Sequence, residues 1–331
     1  MKVDRRALLG TVLAAGLAQR AAAQTPLRSA ERPLPGGLIE PAEFIDLWPN
    51  GAPGAPATLP VETVNERSTD PQLTDRAMTG INRPRMAVFR PSAPNGAAVL
   101  VTPGGGYVRV AVDKEGYELG HWLSARGITV FVLFYRLPGD GWAAGPDVAL
   151  ADAQRAMRLI RHRARDYGLD PVRVANMGFS AGGHVAADLA TRFAASTYAP
   201  VDAADTASAR PFATAAIYPV ISMTAPIAHA GSREQLIGRD ASAARERANS
   251  PHLNVPADAP PFFIVHAEDD DAVPIENALL LRAALRERGI PVETHLFTHG
   301  GHGFGLRKVV GKPAGAWPDL FLAWARAAGL A

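Results

Sequence analysis

Six short apolar runs along the chain predict β-strands. Residues 97–101 and 129–135 are almost continuously hydrophobic, which is typical of strands buried on both faces of a parallel sheet. The other four runs lie further along the chain, at residues 172–177, 213–220, 262–266 and 292–297. Together these runs predict one large sheet whose strands are mostly parallel.

Helical periodicity appears between these strands. Residues 148–165 place several alanines and Ile160 on one face and many arginines elsewhere, which predicts an amphipathic helix. A second helix is predicted over residues 275–288 and ends at Gly289. The alternation predicts an α/β fold with a doubly wound, mostly parallel sheet and right-handed crossovers. Ligand sites in such sheets lie at the carboxyl ends of the strands.

The N-terminus has the composition of an export signal. The pair Arg5 and Arg6 begins a basic-to-apolar pattern, with an apolar segment at residues 7–18 and three alanines suited to cleavage at residues 21–23. The paired arginines favour the twin-arginine route, which exports folded proteins. Because the apolar segment is too short to span a bilayer, we expect no stable membrane anchor. Residues 1–23 therefore predict a periplasmic or secreted protein.

The rest of the chain is predicted to hold one catalytic domain. Residues 24–84 begin with a stretch rich in proline, alanine and glycine, which predicts an irregular N-terminal arm lying over the domain. The α/β catalytic domain is assigned to residues 85–331. Within it, residues 222–261 have weak periodicity and are a candidate for a short lid or rim over the site.

Charge and cysteine content exclude several classes of function. The chain has 34 basic and 32 acidic residues, and removing the signal segment, with four basic residues and one acid, leaves 30 against 31. A net charge of about −1 without any basic run argues against a nucleic-acid or anionic-membrane partner. The absence of cysteine excludes disulfides, thiol catalysis and thiolate metal sites. The sequence does not indicate an oligomeric state.

The sequence Gly-Phe-Ser-Ala-Gly at residues 178–182 is the strongest chemical signal in the chain. A predicted strand precedes it and a helical pattern follows it, and this succession is the arrangement of a nucleophile elbow. The tight turn holds the serine in strained backbone geometry and needs small residues on both sides. Ser180 is therefore the predicted nucleophile.

A glycine-rich loop follows the predicted strand at residues 97–101. Residues 103–107 read Pro-Gly-Gly-Gly-Tyr, and glycines allow the backbone to approach a substrate and present N–H groups to it. The equivalent loop of lipase-like enzymes stabilises the oxyanion of acyl transfer. We therefore expect the N–H groups of Gly105, Gly106 and Ala181, the residue after the serine, to form an oxyanion hole.

The general base and its carboxylate partner are expected later in the chain. Two histidines follow the last predicted strand, and His302 is favoured over His299 because glycines flank it more closely. Four consecutive acids at residues 268–271 follow the preceding strand, and one of them should bind the other ring nitrogen of the histidine. Spacing alone leaves Asp270 and Asp271 as alternatives. The chain order Ser, Asp, His is that of α/β-hydrolases.

Further motifs fit the same pattern, and the matching stretches lie at residues 47–54, 103–107, 135–138, 152–156, 178–184, 266–274 and 300–305. On these residues the chain resembles α/β-hydrolases of the bacterial acetyl-esterase and feruloyl-esterase type, often described as acetylxylan-esterase-like or xylanase-like. In that family the acid usually lies four residues after the strand histidine and four before a proline. This register selects Asp270, between His266 and Pro274, with Asp271 as the second choice. Pro103 stands where many relatives carry histidine.

The resemblance implies an exported serine esterase that hydrolyses small acyl esters, with acetyl or feruloyl groups on plant polysaccharide as expected substrates. Ser180, His302 and Asp270 would form a triad that needs no metal or organic cofactor. One rival is a serine peptidase of the prolyl-oligopeptidase type, which usually has a large gating domain that the segment before the first core strand is too short to supply. A second rival is a non-catalytic binding protein with a hydrolase fold, although such proteins typically lose a triad member.

Overall fold

The computed structural model describes residues 40–331 and is built around a mostly parallel eight-stranded sheet. The strands are β1 (Glu43–Asp46), β2 (Thr63–Glu66), β3 (Arg76–Thr79), β4 (Arg85–Phe89), β5 (Ala98–Thr102), β6 (Val110–Ala111), β7 (Thr129–Phe134), β8 (Val174–Phe179), β9 (Thr214–Ile217), β10 (Phe262–Ala267) and β11 (Val292–Phe297). The large sheet has the order β1-β4-β7-β5-β8-β9-β10-β11. The pairs β1–β4 and β4–β7 are antiparallel and the others are parallel. The predicted α/β class with a mostly parallel sheet is confirmed.

Helices alternate with these strands along the chain. They are α1 (Glu118–Ser124), α2 (Val148–His162), α3 (Ser180–Arg192), α4 (Ala230–Ile237), α5 (Ala243–Ala248), α6 (Glu276–Glu287) and α7 (Trp317–Ala327). A π-helical turn, Asp113–Tyr117, leads directly into α1. The helices predicted at residues 148–165 and 275–288 correspond to α2 and α6. None of the helices in residues 40–331 is both long enough and apolar enough to cross a membrane.

The centre of the sheet is buried on both faces. Every residue of β5, β7, β8 and β10 is buried, which explains their nearly continuous apolar sequences. The glycine loop follows β5, the elbow follows β8, the run of acids follows β10 and His302 follows β11. Because these strands are parallel, all four segments emerge at the same edge of the sheet.

The described part of the predicted arm, residues 40–84, contains three short strands separated by irregular segments. β1 extends the large sheet through antiparallel pairing with β4, and β2 and β3 form a small antiparallel sheet with β6. The division into an irregular arm at residues 24–84 and a domain beginning at residue 85 stays a prediction, but the described part of the arm contributes strands to both sheets. The three strands have four residues each, and β2 is exposed throughout, so no apolar alternation reveals them. The predicted signal segment, residues 1–23, lies outside the described residues.

Buried polar contacts attach this N-terminal segment to the domain. The Trp48 indole Nε1 donates to Asp152 Oδ1 at 2.8 Å, and the Arg136 guanidinium binds the same carboxylate through two nitrogens. Arg155 Nε donates to the Leu47 carbonyl oxygen at 3.0 Å. These residues belong to three of the motif stretches singled out in the sequence, so those motifs are explained by contacts of α2 with the segments that follow β1 and β7.

Residues 222–261, the candidate lid or rim, contain α4 and α5. His229, Gly231, Glu234 and Gln235, at the start of α4 and along it, line the cavity in front of the elbow. The segment therefore has the position of a rim.

Candidate active site

Ser180 lies at the turn where β8 ends and α3 begins. Its backbone φ is +54°, in the left-handed region that residues with a Cβ atom rarely adopt. The Val220 N–H donates to the Ser180 carbonyl oxygen at 3.0 Å and helps to hold the turn. Backbone strain of this kind occurs mainly at functional sites. The predicted nucleophile therefore has the backbone geometry of an elbow.

The two glycines of the elbow motif are required by close backbone contacts. A Cβ atom on Gly178 would lie 2.1 Å from the Gly182 carbonyl oxygen, and a Cβ atom on Gly182 would lie 2.1 Å from the Thr102 carbonyl oxygen. The Thr102 hydroxyl also donates to the Gly182 carbonyl oxygen at 2.8 Å. The end of β5 is thus packed so tightly against the elbow that only glycine fits at both positions.

A continuous chain of hydrogen bonds connects Ser180, His302 and Asp270. Ser180 Oγ lies 2.8 Å from His302 Nε2, and His302 Nδ1 lies 2.7 Å from Asp270 Oδ2. The Asp270 side chain is fully buried, whereas that of His302 is 21% exposed. Because Nδ1–H donates to the carboxylate, Nε2 is left to accept the serine proton. This arrangement suits general-base activation of a nucleophilic serine.

Asp270, and not Asp271, contacts the histidine. Asp270 also accepts hydrogen bonds from two backbone N–H groups of its own loop, at 3.0 and 2.8 Å, and from His266 Nε2 at 3.1 Å. Burial by itself raises the pKa of Asp270, but the hydrogen bonds from His266 and His302 hold this pKa well below the usual range of a carboxyl. The carboxylate therefore stays ionised at neutral pH. Asp271 is exposed.

Asp269 positions the loop that carries His302. Its carboxylate accepts the N–H groups of Gly300 and Gly301 at 2.8 and 2.7 Å. The side chain of His299, the less favoured candidate base, is 77% exposed, and its ring nitrogen lies 3.4 Å from Asp269. His299 therefore takes no part in the hydrogen-bond chain that reaches Ser180.

The glycine loop after β5 packs against the nucleophile. A Cβ atom on Gly104 would lie 2.8 Å from the Ser180 Cβ atom. Gly105 and Gly106 line the cavity and have φ values of +139° and +65°. A Cβ atom on Gly105 would also lie 2.2 Å from the Arg109 carbonyl oxygen. Both the backbone conformation and the close approach therefore require glycine here.

The third residue of the predicted oxyanion hole, Ala181, lies in the first turn of α3 and is fully buried. The first N–H groups of an α-helix have no acceptor inside the helix, so this amide has no partner within α3. Pro103, at the start of the glycine loop, uses its carbonyl oxygen to accept the Tyr135 hydroxyl at 2.7 Å. This bond anchors the start of the glycine loop.

Glu115 and Tyr218 connect the loops of the site. Both residues are buried, and no sequence motif marks either of them. Glu115 Oε2 accepts the Gly104 N–H at 2.8 Å, and its Oε1 accepts the Tyr218 hydroxyl at 3.0 Å. The same hydroxyl accepts the Gly305 N–H at 3.1 Å, and the Tyr218 ring contacts the His302 ring edge-on with centroids 5.2 Å apart. We call this arrangement the Glu115–Tyr218 bridge. It joins the glycine loop to the histidine loop.

A second buried connection involves His184, which lies inside α3. The Tyr107 hydroxyl lies 2.7 Å from His184 Nδ1, and His184 Nε2 lies 2.8 Å from the Asn249 carbonyl oxygen. Burial lowers the pKa of His184 to about 4, so the ring is neutral at pH 7. A neutral ring with its proton on Nε2 satisfies both contacts. His184 thus links the glycine loop, α3 and the rim.

A cavity of about 410 Å³ opens in front of Ser180 and His302. This volume lies within the usual range for small-molecule sites, about 300–1,000 Å³. On the rim, His229 precedes α4 and its Nδ1 accepts the Ser232 N–H at 3.1 Å. Burial lowers the pKa of His229, which favours the neutral form of this ring.

The sequence of this chain matches the model of a known protein family. The sequence model of the BD-FAE family matches residues 86–285, which is more than half of the chain. The chain belongs to the BD-FAE family. The glycine loop, the elbow and Asp270 of this BD-FAE protein all lie within the matched region, and His302 follows it.

Two curated relatives resemble the BD-FAE region of the chain. An acetylxylan esterase from Xylanibacter ruminicola is 32% identical over 232 residues, which are 67% of this chain and 44% of the relative. Endo-1,4-beta-xylanase B from Butyrivibrio fibrisolvens is 36% identical over 205 residues, which are 62% of this chain and 32% of the relative. The chain therefore spans less than half the length of these two relatives.

Solved structures share the fold of the BD-FAE protein. The acetyl ester-xyloside bifunctional hydrolase from Caldicellulosiruptor lactoaceticus has a TM-score of 0.72 at 33% identity, over 89% of this chain and 99% of that one. A carboxylesterase from Lactobacillus plantarum has a TM-score of 0.61 at 24% identity, over 82% and 98% of the two chains. The predicted α/β-hydrolase fold and the resemblance to acetyl-esterase-type hydrolases are confirmed.

Proposed function

We propose that this BD-FAE protein is a serine carboxylic ester hydrolase that acts on acetyl esters of carbohydrates. One observation carries the proposal: the unbroken hydrogen-bond chain from Asp270 through His302 to Ser180, whose serine end lines the cavity. This chain supplies an orienting carboxylate, a base and a nucleophile in the arrangement that acyl transfer requires.

The first half of the proposed reaction forms an acyl-enzyme. Ser180 Oγ attacks the ester carbonyl carbon while its proton moves to His302 Nε2. Asp270 stabilises the resulting imidazolium through the bond to Nδ1. The carbonyl oxygen becomes an oxyanion, which the N–H groups of Gly105, Gly106 and Ala181 would stabilise. The tetrahedral intermediate then collapses, and the alcohol leaves with the proton from His302.

The second half repeats these steps with water as the nucleophile. His302 removes a proton from water, the hydroxide attacks the acyl carbon, and Ser180 leaves with the proton returned from His302. The products are a carboxylic acid and the free enzyme. All of the proton transfers pass through Nε2, so neither a metal nor an organic cofactor is required by this mechanism.

The proposed substrate class rests on the relatives. One is named an acetylxylan esterase and another an acetyl ester-xyloside bifunctional hydrolase, which supports an acetyl group as the acyl half and a xylose-based carbohydrate as the alcohol half. Feruloyl esters are the alternative acyl group. Comparing kcat/KM for acetylated xylo-oligosaccharides, feruloylated oligosaccharides and aryl esters tests this choice, and we expect the acetylated oligosaccharides to rank first.

The variant Ser180→Ala tests the mechanism. We expect its kcat/KM for 4-nitrophenyl acetate to fall by roughly a thousandfold or more, with an unchanged circular dichroism spectrum. Undiminished hydrolysis by this variant would contradict the proposal. Faster turnover of peptide amides than of esters would favour the peptidase alternative. Polysaccharide binding by the wild type without any hydrolysis would favour the non-catalytic alternative.

We also propose that residues 1–23 direct export through the twin-arginine route. The adjacent Arg5 and Arg6 before an apolar segment support this proposal. Replacing both with lysine in the full-length chain should leave the unprocessed protein in the cytoplasm of the producing bacterium. Equal amounts of processed protein in the periplasm for both chains would overturn the proposed route.

A further inference from the structure

Three cationic side chains line the cavity in front of Ser180. Arg67 directly follows β2, Arg109 lies just after the glycine loop, and Lys114 belongs to the π-helical turn before α1. The proposed hydrolysis of a neutral acetyl ester gives none of these charges a function. Three cations from separate segments therefore converge on one cavity without a role in that reaction.

The acids near the cavity neutralise only one of these cations directly. Arg67 forms an ion pair with Asp75 at 2.6 Å. Of the acids in the lining, Glu115 is engaged in the Glu115–Tyr218 bridge, and Glu234 pairs with Arg239 at 2.7 Å. Among the described residues, Arg109 has no ion-pair partner and Lys114 has only the Glu115 carboxylate, at 3.9 Å.

Lys114 is a buried cation that has no hydrogen-bonded partner among residues 40–331. It is only 7% exposed, and its ion-pair partner there is the Glu115 carboxylate, 3.9 Å from Nζ, which is too far for a hydrogen bond. A Cβ atom on Gly303, the residue after His302, would lie 3.2 Å from Nζ. The ammonium group therefore lies beside the histidine loop. Burying a charge without a hydrogen-bonded partner is unfavourable, and an anionic ligand group would supply that partner.

Arg109 lies against the glycine loop. A Cβ atom on Gly105 would lie 2.9 Å from Arg109 Cγ. Arg109 is exposed, and no carboxylate in the described part of the chain forms an ion pair with its guanidinium group. Because Arg109 and Lys114 line the same cavity of about 410 Å³, one small ligand in front of Ser180 can approach both.

We propose that the preferred substrate is an ester that bears a carboxylate elsewhere in the molecule, and that Arg109 and Lys114 bind this carboxylate. This inference rests on the proposed esterase function and names its substrate class. The carboxylate can belong to the alcohol half, as in an acetylated uronic acid, or to the acyl half, as in a half-ester of a dicarboxylic acid. It takes no part in bond cleavage. It positions the neighbouring ester carbonyl at Ser180 Oγ.

Two matched pairs of substrates test the proposal and distinguish the two sources. In the first pair, acetylated oligogalacturonate is compared with acetylated xylo-oligosaccharide, and the carboxylate lies in the alcohol half. The pair 4-nitrophenyl hydrogen succinate and 4-nitrophenyl butyrate places it in the acyl half. In one pair we expect kcat/KM to be at least about fivefold higher for the acidic ester at low salt, and the preference to shrink at about 0.5 M NaCl because salt screens exposed charges.

Variants of the cavity cations test whether these residues cause the preference for the acidic ester. Arg109→Gln should remove most of the acidic-to-neutral ratio of kcat/KM, Arg109→Lys should retain much of it, and Lys114→Met should lower it. Arg286→Gln, which removes the same charge from an exposed position on α6, is the control and should keep the wild-type ratio.

Two results would overturn the inference. One is a wild-type enzyme that prefers the neutral ester in both pairs. The other is an acidic preference that stays intact in both Arg109→Gln and Lys114→Met. Either result with normal hydrolysis of the neutral esters would leave the proposed esterase function standing. A wild type that cleaves none of the four esters would instead contradict that function as well.

Discussion

At the scale of single residues, the four acids after β10 have different roles because their surroundings differ. Asp270 is buried and accepts hydrogen bonds from two histidines and two amides, whereas Asp269 holds the loop that carries His302. Glu268 and Asp271 are exposed. The distinction comes from the path of the loop, since all four residues are carboxylic acids in consecutive positions.

We predict that Asp270→Asn lowers kcat for 4-nitrophenyl acetate by roughly 10³–10⁴-fold. An amide can donate a hydrogen bond to Nδ1 and so favours the tautomer in which Nε2 carries the proton and cannot accept one from the serine. Steady-state kinetics would measure the loss, with Asp271→Asn as the matched control that should stay within about twofold of the wild type. Equal losses in the two variants would show that the acid is assigned incorrectly.

A second prediction at the residue scale concerns the Glu115–Tyr218 bridge. In Glu115→Gln, one amide oxygen cannot replace two carboxylate oxygens that accept from Gly104 N–H and from the Tyr218 hydroxyl. We expect kcat to fall about tenfold or more with a smaller change in KM, since an unsatisfied buried group costs about 1–3 kcal/mol and the displaced loop carries two of the proposed oxyanion amides. Kinetics at saturating ester would measure this split.

Tyr218→Phe provides the test of coupling. If both residues act through the bridge, the double variant should lose much less activity than the product of the two single losses. Fully multiplicative losses, or a rise in KM alone, would show that the two residues act independently of the glycine loop.

The residues of the site differ in how far the sequence predicts them. Ser180, Gly105 and His302 stand in local motifs, and the family register selects Asp270. The bridge has no local pattern, because Glu115 and Tyr218 are 103 residues apart and meet only once the sheet has formed.

At the scale of elements, the elbow depends on close packing between β5, β8 and α3. We predict that Gly182→Ala lowers the free energy of unfolding by about 3 kcal/mol or more, because its Cβ atom would overlap the Thr102 carbonyl oxygen. Gly231→Ala in α4, where the nearest atom would be 3.4 Å away, should change it by no more than about 1 kcal/mol. Urea unfolding measures both, and similar losses would contradict the packing argument.

Elements with strong periodicity were predicted, and those fixed by distant contacts were not. β5 and β7 are buried throughout, so their apolar runs reveal them. β1 alternates weakly, and its place in the sheet depends on pairing with β4 and on Trp48 reaching Asp152. Tertiary contacts of this kind leave no periodic signal in four residues.

At the scale of the whole molecule, the buried His184 should make stability depend on pH. Its folded pKa of about 4 lies below the ordinary value of 6.5, so the unfolded state binds more protons between these pH values. The contribution is complete above pH 6.5 and is lost as pH falls towards 4. From pH 7 to pH 5 we expect His184 to lower the free energy of unfolding by about 2 kcal/mol.

The comparison of wild type with His184→Gln isolates this effect. Burial raises the pKa of the neighbouring Asp188 to about 6, which acts in the opposite direction, but Asp188 is present in both chains. Urea unfolding at pH 7 and pH 5 should show a smaller loss of stability in the variant. An equal loss in both chains would show that His184 is not a buried neutral histidine.

The covalent intermediate on Ser180 provides the most direct test of the account. The wild type would be mixed with excess 4-nitrophenyl acetate, quenched in acid within the first turnovers, digested and examined by mass spectrometry. We predict one added acetyl group on the peptide that contains Ser180, located at the serine itself and absent from Ser180→Ala. Hydrolysis at the wild-type rate with the acetyl group on another residue, or with an acetyl-enzyme of the same yield in Ser180→Ala, would contradict the assignment of the nucleophile.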